Sequence, residues 1–148
     1  VAYITDDLIS YLGSHASITP LIQTDPLHIF AEAVPKRAAN AAGRRVDIGD
    51  TYIVIEEDGG DKERDMSGFT GTREPTFTIL VRSTGKLAIR RLFLALDVAL
   101  DTHHVQMQDM WVEQSFLGEP RDVSTTPQDG SDVMEYMMES TLSLIARL

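Results

Sequence analysis

The chain has 148 residues, no cysteine, and a net charge of −10 from 13 basic and 23 acidic side chains. That length fits one domain able to bury roughly two thirds of its unfolded surface, and the missing cysteines exclude disulfides, thiolate metal sites and cysteine nucleophiles. The acid excess argues against wrapping nucleic acid, where Lys and Arg must displace counterions. It suits either plain solubility or a wall past which phosphate slides without sticking.

No apolar run reaches the ~20 residues of a membrane span. The opening VAYITDDLIS carries two aspartates and no basic region, unlike a signal peptide. Thr5-Asp6-Asp7 offers a capping oxygen and two carboxylates to a helix dipole, so a helix is expected over Thr5–Leu12 with Gly13 as its stop. Thr19-Pro20-Leu21-Ile22 suggests one further helical turn, broken at Asp25-Pro26.

Leu27 to Val34 alternates weakly and reads as a strand. Residues 35–50 lack periodicity and hold the one basic segment (Lys36, Arg37, Arg44, Arg45), so an exposed loop is expected. Tyr52 to Glu57 (YIVIEE) is a β-branched run. Asp58 to Glu74 is polar and glycine-rich, and reads as a loop long enough to be functional. Pro75 to Ser83 places Phe77, Ile79 and Val81 on one face of a strand. In Lys86–Leu100 the pattern turns helical, with Ile89, Leu92, Phe93, Leu96, Ala99 and Leu100 in one apolar stripe. Lys86, Arg90 and Arg91 sit near the start of that helix, and Asp97 and Asp101 near its end, opposing the dipole.

Val105 to Phe116 reads as one strand and Leu117 to Ser131 as a turn-rich loop. Residues 132–148 fit either period. The alternation of Met134, Tyr136, Met138, Leu142 and Leu144 suits a strand, while Asp132-x-x-Glu135 resembles a helix capping box. The strand is preferred because Ser140-Thr141-Leu142-Ser143 is poor helix material. The expected class is α+β: one domain over residues 1–148, a mixed, mostly antiparallel sheet, one long helix packed on it, and an N-terminal helix.

Catalytic signatures are weak. No G-x-S-x-G, Walker loop or G-x-G-x-x-G occurs. Glu56, Glu57, Asp58 and Asp61 cluster around Gly59-Gly60 without calcium-loop spacing and read as a solvated acidic mouth. His103 and His104, adjacent in a strand, point to opposite faces and ill suit one zinc. The chain therefore reads as a non-enzyme with no cofactor and no metal.

The order of elements resembles the tail terminator (tail completion) proteins of long, flexible-tailed bacteriophages. The resemblance rests on the N-terminal helix, an isolated strand, GDTYIVIEE, and an alternating strand running into a helix that ends in Leu-Asp (FTILVRS…AIRRLFLALDVALD), followed by closing strands. It spans nearly the whole chain and rests on hydrophobic rhythm. Asp50-Thr51-Tyr52 departs from it, because the family often has a proline there. The resemblance implies a virion protein made in the bacterial host cytoplasm: a ring of six copies that caps the tail tube, ends its polymerisation and joins the head connector or stopper. The implied partners are further copies of the chain, the major tail tube protein and the connector, with DNA passing through unbound and no membrane contact.

On that reading Asp61, Arg64, Met66, Phe69, Thr70, Arg37, Arg44 and Arg45 are candidate subunit or tube contacts. Glu56, Glu57, Asp58 and Asp61 are candidates for the lumen or its rim. The alternatives are another neck protein (head completion or stopper) and a small metal-dependent hydrolase using His103, His104 and the acidic segment.

Overall fold

A computed structural model describes residues 4–49, 51–65, 68–101, 103–124 and 136–147. Helix α1 (Ile4–Ser14) buries Ile4, Leu8 and Leu12. It runs through Gly13, the expected stop. A Cβ at that position would stand 2.7 Å from the Leu27 side chain, so the glycine serves close packing rather than termination. The Thr19–Ile22 segment forms hydrogen-bonded turns, with Ile18 N donating to His15 O and Leu21 N to Ile18 O. It seals the core with Ile18 and Ile22.

Strand β1 (Ile29–Ala31) is shorter than the expected 27–34 and pairs parallel with β4 (Tyr52–Asp65). Between them, β2 (Arg37–Ala39) and β3 (Arg45–Asp47) form a separate two-stranded sheet. A loop was expected there, because RAA and RVD carry almost no apolar alternation. Local bonds fold it instead. Asn40 Oδ1 accepts from Arg44 N at 2.9 Å, and Gly43 at φ +80 turns the chain.

Strand β4 pairs antiparallel with β5 (Gly68–Ser83), which pairs with β9 (Tyr136–Arg147). The expected 58–74 loop is therefore a continuation of both strands. Its ladder runs through Asp61↔Glu74 and Lys62↔Arg73 to Asp65↔Gly68. Polar residues on both faces removed the apolar signal without removing the backbone pairing. The expected single strand 105–116 is a hairpin of β6 (His103–Met107) and β7 (Met110–Leu117), turned at Gln108 with φ +54. A two-residue turn of ordinary side chains gave no Gly or Pro to mark it. Strand β8 (Arg121–Asp122) pairs with β9, whose strand assignment agrees with the expected alternation. The main sheet runs β1-β4-β5-β9-β7-β6, and only the β1–β4 pair is parallel.

Helix α2 spans Lys86–Leu100, as its periodicity predicts. It lies across β5, β9 and β7. Ile89, Leu92, Phe93, Leu96, Ala99 and Leu100 are buried in one cluster with Phe77, Ile79, Val81, Val112, Leu142 and Leu144 of the sheet. The helix has no basic residue in its last turn. Neutral hydroxyls reach its end instead: Tyr11 OH donates to Ala99 O at 2.9 Å and Ser115 Oγ donates to Leu100 O. These carbonyls have no partner within the helix, so each donor removes a desolvation cost. Ser17 Oγ donates one turn earlier to Ala95 O. At the other end Lys86 Nζ pairs with Asp122 at 2.9 Å.

Two outcomes test this packing. Leu96→Ala should cost about 2–5 kcal/mol in denaturant unfolding, because a fully buried side chain leaves a cavity. A loss under about half a kcal/mol would place the helix face wrongly. The second concerns Asp7, which is buried, with Oδ2 lacking a hydrogen-bond partner in the structure. Desolvation first, then Asp109 and Asp6, raises its pKa. A raised carboxyl pKa means that ionisation opposes folding. The penalty is absent below the unfolded value near 4 and grows as pH rises through the folded one. Asp7→Asn should therefore raise the unfolding midpoint at pH 7 and leave it nearly unchanged at pH 3. A gain confined to acid pH would reverse the assignment.

Candidate assembly surfaces

Period-two alternation gives the main sheet one face under the helices and one face free of them. On β4, Ile53 and Ile55 point to the core, so Tyr52, Val54, Glu56 and Asp58 share the uncovered face. The acidic run of the sequence is thereby split, with Glu57 on the opposite side. Asp58 is held by the Thr78 hydroxyl across the strand pair. On β9 the core positions are Met138, Ser140, Leu142, Leu144 and Ala146. Glu139 therefore joins the uncovered face, where Arg121 pairs with it. An open cleft there gathers Glu32, Glu56 and Glu139 around Val34, Tyr52, Val54, Thr78 and Leu80. Glu32 and Glu139 escaped the sequence reading; the parity of β9 alone would have placed Glu139 beside Thr141 and off the core.

The same face also carries opposite charge and apolar surface. Arg82 Nη1 donates to Tyr52 OH at 3.3 Å, with its guanidinium 5.7 Å from the ring centroid. Arg147 Nε lies 3.3 Å from Glu113. Phe116 is 61% exposed, and Trp111 and Ile145 are each 36% exposed.

Asp61, Arg64, Phe69 and Thr70 lie on the outer part of the β4–β5 hairpin, with Arg64 opposite Phe69. Met66 lies outside the described residues. Strand β1 covers β4 only at Ile53–Ile55, so among the described residues the β4 edge from Glu56 onward has no neighbouring strand. The register sets Asp61 across from Glu74 and Lys62 across from Arg73. Like charges at directly opposed positions do not favour an isolated hairpin. Arg37, Arg44 and Arg45 sit on or beside the β2–β3 arm, and Arg37 Nε pairs with Asp47 at 2.8 Å in the open. The arm is tied to the body by Ala41 N donating to Asp25 Oδ1 at 2.7 Å and by the buried Ile48. The structure thus keeps the two candidate contact groups on two separate hairpins.

Among the described residues the hydrolase alternative gains no constellation. His104 is exposed, with Nδ1 3.4 Å from Glu113, and no three His, Cys, Asp or Glu side chains gather for a metal among the described residues. Ser17 Oγ meets His15 Nδ1 at 2.8 Å, but the same hydroxyl binds the Ala95 carbonyl and fastens a turn to α2.

No protein-family model matches the chain, and no curated protein does. Among solved structures, a chain of the virion of a native gene transfer agent (GTA) particle matches at TM-score 0.60. It is 12% identical, over 97% of this chain and 94% of its own length. The two share one fold. A second solved structure matches at TM-score 0.51 and 14% identity over 97% of this chain and 96% of its own.

The hairpin gives a direct test. Removing Arg64–Phe69 leaves Lys62 and Arg73 joined by a four-residue loop. The variant should keep the fold, with a stability change of about 0.5 kcal/mol, the range of surface changes; a loss of self-association in sizing chromatography would mark the hairpin as a contact between copies. Unchanged association would remove the hairpin from the list of contacts.

Proposed function

We propose that the chain is a structural virion protein whose copies form a ring at the end of a phage tail tube. The ring stops tube growth and joins the tube to the head connector. The observation that carries this reading is the end-to-end likeness in fold to a virion component. It agrees with the order of elements that resembles the tail terminators. Two features of the surface support it. The β4–β5 hairpin and the basic β2–β3 arm are different patches on one body, and a contact between unlike patches generates a ring where its rotation closes. The uncovered sheet face carries Glu32, Glu56, Asp58 and Glu139, a suitable wall for passing DNA.

Native mass spectrometry and negative-stain imaging test the ring. Closed particles of about six copies, binding the ends of tail tubes, are expected. A strict monomer, or a ring that binds the portal side alone, would favour a different neck role. The wall has its own test. Replacing Glu56 and Glu139 by Lys should turn weak duplex binding at physiological salt into salt-sensitive retention. Losing the exposed Arg121–Glu139 pair should barely change stability. No gain in DNA affinity in assembled rings would take this face out of the lumen.

A further inference from the structure

Helix α2 leaves a second apolar stripe that the core does not use. Leu87, Leu94 and Val98 are 66%, 65% and 69% exposed. At about 100° per residue they fall within about 40° of one another, in a straight line along the outer face. The other large apolar side chains of this helix are buried. Three such residues aligned on one exposed face amount to an unpartnered surface rather than scattered exposure.

Of the charges beside the stripe, those on one flank suit a second copy of the chain, while Arg91 stands on the other flank. Arg90 and Asp97 lie seven residues apart on the same flank, with Asp101 following. None of the three makes an ion pair with a described residue. The arrangement is reversed relative to the helix dipole: there is no acid in the first turn and no base in the last. Burial, Asp101 and Glu119 all raise the pKa of Asp97. In two antiparallel helices meeting face to face, equal flanks oppose each other. A two-fold axis beside Leu94 therefore sets Arg90 of each copy against Asp97 of the other, and Leu94 beside its own counterpart.

We infer that the outer face of α2 is a self-complementary docking surface for α2 of a second copy of this chain, packed antiparallel about Leu94. The inference goes beyond the ring and does not depend on it. A ring closes through unlike patches, whereas this contact uses one patch twice. It also lies on the face of the body opposite the uncovered sheet, so both contacts can coexist. A 15-residue helix spans about 22 Å, and one helix width covers far less than the ~800 Å² per partner of a stable complex. The pairing is accordingly weak on its own and concentration-dependent.

The chain has no cysteine, so a single introduced thiol reports proximity without background. In the full-length protein, Leu94→Cys should form an intermolecular disulfide on mild oxidation at least about tenfold faster than Leu87→Cys, since helix packing distances bring only the axial position within disulfide reach. Equal rates at both positions, or no crosslink at Leu94→Cys, would overturn the inference, whether the true occupant is another protein or none. Sedimentation gives an independent reading. Arg90→Glu and Asp97→Arg should each weaken pairing roughly tenfold, because symmetry introduces each repulsion twice. The double variant should restore it. A double variant as weak as either single one would also overturn the antiparallel pairing, and both substitutions sit on the solvent face, where folding tolerates them.

Discussion

One contact organises this molecule: the apolar stripe of α2 lying across β5, β9 and β7. Leu92, Leu96 and Leu100 meet Phe77, Ile79, Leu142 and Leu144 with almost no exposed area left. Hydrophobic burial is the main force favouring the folded chain, and half of the largest fully buried side chains belong to this layer. Helix α1 closes its open side and is stitched to α2 through Tyr11. Everything else hangs from that two-layer body. Because the helices cover a single sheet face, the other face must be solvated or used, and the strands that outrun the helices become arms.

That geometry separates function from stability. The residues that hold the fold are apolar and internal. The surfaces available for assembly are the outer β4–β5 hairpin, the β2–β3 arm, the uncovered sheet and the back of α2. Each has a different chemistry: an open ladder edge, basic side chains, carboxylates with aromatics, and a leucine stripe. A protein whose task is to meet several partners in a fixed order has use for several unlike patches on one rigid support.

The sequence was legible where apolar residues keep a clear period. The bounds of α2 follow from its stripe, the Pro75–Ser83 part of β5 follows from its alternation, and β9 was preferred over a helix because Ser140–Ser143 suits one poorly. It was illegible where pairing is carried by the backbone. Residues 58–65 and 68–74 carry no apolar alternation in sequence, so their side-chain pattern does not distinguish a ladder from a loop. The β2–β3 arm is held by Asn40, Gly43 and a backbone register, and Ala-rich strands leave no trace in hydropathy. The β6–β7 turn uses Gln108 at positive φ, where glycine or asparagine would have announced it. At the candidate surfaces the sequence showed the basic segment and the acidic run. It could not show that Glu56 and Glu57 part to opposite faces, or that Glu32 and Glu139 join Glu56. Those groupings come from register between strands far apart in the chain.

The two-layer body is held by one apolar cluster, and among the described residues the β2–β3 and outer β4–β5 arms add nothing to it. Native-state hydrogen exchange, resolved by residue and followed from dilute to assembled protein, tests it most directly. The account predicts that amides of Ile79, Leu96 and Leu142 exchange only through global unfolding at every concentration. Those of Asp61–Asp65 and Gly68–Gly71 should exchange orders of magnitude faster in the dilute subunit and become protected on assembly. Arm amides as protected as the core in the dilute subunit, or unchanged by assembly, would contradict it.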